Sequence, residues 1–340
     1  MMAILPWQQR GHRTRALFGR GTQKVRSMHS RRFLTGAVAV SAVLLAACGN
    51  SGSSTTAGSS TPTTPSAGGV VRISGQNFTE AEIVADMYAG VLTKAGYQPK
   101  VKLVGTRDVY MATFPKSIDV VPEYVGGIVD FLLLKDDPKA KIPTESNPQQ
   151  VIDAAKSQLD SAGITLLNPS NATDTNAFFV TKKYSQDNNV TKLSDLQGKS
   201  VVLAAAPDCE GRLDCAGGLE DKYGITITKV LPLGYASQQT YDSVQSGESQ
   251  LGETSTTDGT LDSLGFVLLQ DDKAIQPAQN LVPAVSSSFL AAHPDVAAPL
   301  NELMSKLTTD VLTQLNAKVA VDREKADQVA QDWLSQAGLI

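Results

Sequence analysis

The stretch IDVVPEYVGG, residues 118–127, decides the reading of the fold. Residues 118–121 predict a short buried strand that carries one carboxylate, Asp119. Pro122 has no N–H for a sheet ladder, so it is expected to end that strand. Glu123 and Tyr124 follow. Gly126 and Gly127 are then expected to turn the chain into an apolar helix over 128–134. A strand that stops, shows an aromatic ring and enters a helix through glycines is the usual build of a ligand site at the carboxyl edge of an α/β sheet.

The flanks extend this pattern. Before it, residues 70–74 predict a strand, 75–78 a loop, and Thr79 a cap for a helix to about 95, with Gly96 just past its end. A strand over 101–104 and a helix over 107–114 complete a β-α-β-α-β order, which points to an α/β fold. After it, 148–162 predicts a helix and 164–167 a strand. Further strands are expected at 176–180, 201–205, 229–233, 250–254 and 268–271, with short helices at 193–196 and 241–247. Between them, 207–219 (PDCEGRLDCAGGL) reads as a glycine-rich loop, and 293–339 as a helical tail.

Composition bounds the function. The chain has 340 residues, 41% hydrophobic, enough for two domains or lobes. Aromatics are only 6%, which gives each exposed ring more weight. Residues 1–47 hold eight Arg and Lys and no acid, leaving 22 basic and 34 acidic residues in the remainder. An acidic body argues against nucleic acid as a partner.

The basic end reads as a targeting segment. Arg31-Arg32 precede an uncharged run, 33–47, too short to span a bilayer comfortably but suited to a signal-peptide core. Met28 would give that signal a normal length and is expected to be the true start. The run ends in Leu45-Ala46-Ala47-Cys48, which resembles the lipobox of bacterial lipoproteins. That resemblance implies that the Cys48 thiol carries a diacylglyceryl group and that the protein is anchored to the outer face of the cell membrane. Residues 48–69 have the Ser/Thr/Gly composition of a flexible tether.

Several stretches together resemble the extracytoplasmic solute-binding proteins of ABC importers for glycine betaine, choline and related quaternary amines. They are ISGQNFTEAEIVADMYAGVL from Ile73, IDVVPEYVGG from Ile118, TNAFFV from Thr175, YDSVQSGE from Tyr241, TSTTDGTL from Thr254 and FVLLQDDKAIQPAQN from Phe266. The tail, with LTTDVLTQLN and QDWLSQAGLI, extends the match over nearly all of 70–340. The resemblance implies a two-lobed, type II-like periplasmic-binding-protein fold with two hinge crossings. Lobe one would be 70–175 plus 281–340, and lobe two 176–280. It further implies a small-molecule solute, a membrane permease as partner, and a monomer. Alternatives are the same fold re-specified for another polar solute, or a ligand sensor.

A quaternary ammonium has no N–H to donate, so aromatic faces grip it, at about 0.5–2 kcal/mol per ring. The resemblance places Tyr124 and Tyr241 in such a cage, clamping from opposite lobes, and Gln76 at a polar contact. Two other cage positions hold Asn176 and Ala216 where the family has tyrosine. Losing two rings removes roughly 1–4 kcal/mol, which Asp174 can offset with a full charge, or which Asp174 and Asn176 can offset by hydrogen-bonding a hydroxylated ligand. Phe78, Arg212 and Asp258 are further candidates, Arg212 for a ligand carboxylate.

In an exported protein Cys209 and Cys215 read as a disulfide. His293 is the only histidine after residue 47, so no metal site is expected. No G-x-S-x-G, H-E-x-x-H or dinucleotide glycine pattern is present, and neither catalysis nor a cofactor is expected.

Overall fold

A computed structural model describes residues 68–340. The signal segment, Cys48 and nearly all of the tether lie outside the described residues. In chain order, the first half holds β1 (Val70–Ile73), α1 (Thr79–Lys94), β2 (Gln98–Val101), α2 (Arg107–Met111) and β3 (Val120–Tyr124). It continues with α3 (Val125–Asp136), α4 (Pro148–Ala154), α5 (Lys156–Ala162) and β4 (Ile164–Leu166). The chain then enters β5 (Asn176–Thr181), α6 (Lys182–Asn188), β6 (Ser200–Ala205), α7 (Ala216–Asp221) and β7 (Thr226–Pro232). Next come α8 (Gln238–Ser246), β8 (Leu251–Ser255), α9 (Leu261–Leu264) and β9 (Phe266–Leu269). It returns through β10 (Leu281–Ser286) to α10 (Ser287–Ala292), α11 (Ala297–Lys306), α12 (Thr309–Ala320) and α13 (Ala326–Gln336).

The strands form two five-stranded sheets, ordered β2-β1-β3-β10-β4 and β7-β6-β8-β5-β9. Each has three parallel strands followed by an antiparallel one, β10 in the first sheet and β5 in the second. Both antiparallel strands begin where the chain has just crossed from the other sheet. The chain makes those crossings over residues 167–175 and 270–280. This is the two-lobed periplasmic-binding-protein architecture.

The first core is built around α1. Ile83, Val84, Met87, Tyr88, Val91 and Leu92 recur at helical spacing and are all buried. They pack on β1 and β3 on one side and on Leu300, Leu303, Leu312, Leu315 and Leu334 of the tail on the other. Each such side chain contributes about 1.5–3 kcal/mol of burial. The second sheet has its own core, with Phe178, Leu203, Leu219 and Tyr223 at its centre.

Several elements differ from the sequence expectation. Pro122 lies inside β3 instead of ending it. It sits directly opposite Pro283 of β10, a pairing that exchanges no N–H bonds, while β1 reaches β3 only at Ile73↔Val120. No neighbour therefore requires the missing N–H. Gly126 and Gly127 lie in the first turn of α3, and they serve close approach rather than a turn. A β-carbon on Gly126 would stand 2.7 Å from the Ala278 carbonyl, and one on Gly127 2.5 Å from the Arg107 guanidinium. Thr79 is the first helical residue of α1, and Phe78 before it makes no side-chain cap. β2 starts three residues earlier than expected, because this largely exposed edge strand carries little apolar signal. The cysteine loop ends in α7, which the glycines of Ala216-Gly217-Gly218 obscure in the sequence.

Candidate functional site

A cleft of about 890 Å³ opens between the two halves. On the first side it is walled by Asp130 of α3 and by Ile142–Thr144. Arg212, Leu213 and Tyr235 wall the second side. Its floor is the two crossings, Asp174–Asn176 and Ala274–Pro277 with Gln279.

The crossings hold each other in place. The Asp174 N–H donates to the Gln279 carbonyl at 3.1 Å, and Thr175 exchanges bonds with Thr256 next to it, at 3.0 Å each. The backbone is thus fixed on both sides of Asp174, and its carboxylate is held at the cleft. Asp174 Oδ1 is buried and has no hydrogen-bond partner. Burial, and then the nearby charge of Glu80, push its pKa up to about 7, against the pull of the Thr257 and Ser255 hydroxyls.

Glu80 lies in the first turn of α1, where an acid would ordinarily face water and the helix dipole. Here it is only 3% exposed. Tyr124 Oη donates to its Oε1 at 2.5 Å, and Asn316 Nδ2 of α12 donates to Oε2 at 2.7 Å. Burial raises its pKa, and these donors oppose the rise. Asn316 also donates to the Thr257 carbonyl at 3.0 Å, so one side chain ties the first core to the second half.

Tyr124 therefore stands at the carboxyl edge of β3 as the sequence placed it, with its hydroxyl committed to Glu80. It shares a small recess with Gln76 and Phe78. Phe78 is 38% exposed, so it belongs to that recess and not to the core. Beneath it, Arg107 pairs with the buried Glu123 at 2.9 and 3.0 Å, and Tyr110 also donates to Glu123. Asp130 Oδ1, on the cleft side, is buried without a partner, and burial pushes its pKa up to about 6.

Four candidates are bound to other side chains of the protein. Tyr241 does not line the cleft: its ring packs on Phe179 at 5.4 Å and Phe266 at 6.0 Å in a satellite core. Its hydroxyl donates to Asp258 at 2.6 Å. Asp258 is itself spent within the second half, accepting also from Thr254 at 2.6 Å and from the Thr260 hydroxyl and N–H at 2.6 and 2.9 Å. Asn176 and Arg212 do face the cleft, but both are bound to Asp214. Asn176 Nδ2 donates at 3.0 Å, and the guanidinium binds in a fork at 3.0 and 2.7 Å. Asp208 adds a further contact to Arg212 at 3.3 Å. The guanidinium is thus already paired with two carboxylates of its own loop.

The ring that the second half offers is Tyr235. It is 44% exposed, lines the cleft, and has its hydroxyl close to Asp174 and Ser255. The sequence holds the signal that would have found it. Strand β7 ends at Pro232, and Gly234-Tyr235 follow, so a proline, a glycine and an aromatic ring again cluster at a strand end, here with the glycine before the ring.

A disulfide joins Cys209 and Cys215 and closes the loop that carries Arg212–Asp214. With Glu253 these cysteines form the one His/Cys/acid cluster of metal-ligand spacing among the described residues. The disulfide uses both sulfurs, so no thiolate is left to bind an ion.

Comparisons place this geometry among known proteins. The family model for the substrate-binding domain of ABC-type glycine betaine transport systems matches residues 69–336. The chain is 29% identical over 282 residues to the glycine betaine-binding protein YehZ of Escherichia coli K12, covering 79% of this chain and 90% of that protein. It is 26% identical over 283 residues to a glycine-betaine-binding protein of Pseudomonas aeruginosa, covering 79% and 88%. The solved structure of apo YehZ superposes with a TM-score of 0.66 at 27% identity, over 79% of this chain and 99% of that one. A structure described as a glycine betaine/carnitine/choline ABC transporter shares the fold, with a TM-score of 0.67 at 20% identity, over the same shares. Two matching sheets, a cleft floored by both crossings, and a family match over nearly all the described residues agree: the chain belongs to the substrate-binding proteins of the glycine betaine ABC transport family.

Proposed function

We propose that this protein captures a small quaternary amine in the cleft and delivers it to an ABC permease, without chemical turnover. One observation carries the choice of ligand class. The cleft joins an acid with one unpartnered oxygen, Asp174, to the exposed ring of Tyr235, the two kinds of group that attract a cation lacking N–H donors. The family match and the relatives named glycine betaine-binding support the same class.

The lipobox-like end of the signal segment supports anchoring through Cys48 at the outer membrane face, with residues 49–69 as tether. A monomer suffices, since one chain supplies both walls and the floor of the cleft.

Calorimetric titration of the purified protein with glycine betaine, choline, carnitine and a neutral polyol tests the function. Binding of a quaternary amine at micromolar concentration is expected, and binding of the polyol alone would overturn the reading. Incorporation of labelled palmitate into the wild type but not into Cys48→Ser tests the anchor.

A further inference from the structure

We propose that Asn316 and Glu80 are positioning residues that latch the two halves in the arrangement that forms the ligand site, with α12 as the strut between them. This rests on the reading of the cleft as a ligand site and adds how its two walls are held.

Helix α12 belongs to the first half, and Leu312 and Leu315 bury one of its faces in the first core. Another face meets the first crossing and the second half. At its start, Thr308 bridges to Asn171 and the Thr309 hydroxyl accepts from the Thr173 N–H at 3.0 Å. One turn on, the Thr313 hydroxyl donates to the Thr256 carbonyl at 3.4 Å, besides its bond to the Thr309 carbonyl at 2.9 Å. Asn316 then reaches the Thr257 carbonyl. Positions 309, 313 and 316 are four and three residues apart, which puts them on one side of the helix. Gly259 lets the loop after β8 lie flat on that side, where Ala317 leaves no room for a β-carbon.

Asn316 differs from the hydroxyls because it also holds a buried acid. Its amide has two protons, and it gives one to Glu80 Oε2 in the first half and one to Thr257 in the second. Turning the amide over would set its oxygen against two acceptors, so this orientation is forced. It leaves Asn316 Oδ1 buried without a partner, a cost the protein carries to keep the tie. Any rotation that draws residues 256–259 away from α12 pulls on the donor that satisfies Glu80. A buried acceptor that loses its donor is costly, which sets this contact above an ordinary surface bond. The other Glu80 oxygen holds the Tyr124 hydroxyl, so one carboxyl fixes both a ring of the site and the approach of the opposite half.

The consequence for binding follows from where the site's groups reside. Asp130 and Tyr124 stand on the first half, Tyr235 on the second, and Asp174 on a crossing. Two crossings of extended chain permit one half to turn against the other. The α12 contact restricts that turning. A wall free to swing is in the binding arrangement for only part of the time, and apparent affinity falls by that fraction.

The test compares the purified wild type, Asn316→Ala, and Asn316→Ala combined with Glu80→Gln. Small-angle X-ray scattering without ligand reads the separation of the halves, melts read stability, and calorimetry with glycine betaine and with choline reads affinity. In Asn316→Ala the expected results are a larger radius of gyration, a lower Tm, and a Kd weaker by about tenfold or more for whichever amine the wild type binds. The double variant has no acid left to satisfy, so its Tm should recover while its radius and Kd stay altered. Recovery of all three together overturns the inference, because Asn316 would then serve only to satisfy a buried acid. A wild-type radius, or unchanged or tighter binding, in Asn316→Ala overturns it too. If the wild type binds neither amine, the quaternary-amine reading falls and the scattering still decides the latch. If Asn316→Ala alone does not fold, the double variant decides, and a wild-type radius there overturns the inference.

Discussion

Truncating Tyr235 and Tyr241 to alanine separates a cleft ring from a core ring. Tyr241 packs between Phe179 and Phe266, and its hydroxyl is one of the donors to Asp258. Removing this half-buried ring costs about 2–4 kcal/mol, a fall in Tm of about 4–16 °C for a chain of this size. Tyr235 is 44% exposed, so its truncation costs about 1 kcal/mol or less and a few degrees. The ligand, however, loses a face worth about 0.5–2 kcal/mol, or about two- to thirtyfold in Kd. Thermal melts without ligand and calorimetric titration with choline read the two effects separately. The reasoning is refuted if Tyr241→Ala keeps its Tm but loses affinity while Tyr235→Ala binds like the wild type.

Other perturbations follow from particular contacts. Gly259 of the second half lies against α12, and a β-carbon there would stand 2.3 Å from the Ala317 nitrogen and 2.7 Å from the Thr313 carbonyl. Gly259→Ala should push these apart at about 1–3 kcal/mol, seen as a lower Tm, a weaker Kd or both, and a variant equal to wild type in both would contradict the placement. Asp174, Asp130 and Glu80 all have pKa values raised by burial, so the native state holds protons that the unfolded state releases near pH 4. Ligand-free stability should therefore fall as pH rises from about 4 through about 7, and Asp174→Asn should be the more stable protein above about pH 7, which melts across pH would check. Opening the Cys209–Cys215 bridge by Cys215→Ser should lower stability by about 2 kcal/mol and weaken ligand binding, because the loop holds Arg212 and Asp214 at the cleft; denaturant titration and calorimetry report each.

The part of the fold legible in the sequence is the part whose side chains are buried on a regular period. Most strands of both sheets and the long face of α1 announce themselves because apolar residues recur at periods of 2 and 3.6, whereas β10, buried on both faces and carrying Pro283, shows no such period and was not expected. β2 is the counter-case, an edge strand of Gln98-Pro99-Lys100-Val101 with little to bury. Within the site, Asp174 was legible as a charge at a position the family gives to another residue type. Its lack of a partner was not, since that depends on where Gln279, Thr256 and Glu80 arrive from distant parts of the chain. Glu80 was invisible for a related reason. An acid in a first helical turn normally faces water, and only the approach of Tyr124 and Asn316 buries it. Tyr241 misled because a tyrosine early in a helix after a strand can face either a cleft or a core, and Phe179 and Phe266 on neighbouring strands decide between them.

Crystallisation with choline tests the assignment of the cleft most directly. The expected result is a trimethylammonium group against the Tyr235 ring, with its charge facing Asp174. Density for choline elsewhere on the protein, or an empty cleft in crystals grown at millimolar choline, would contradict it.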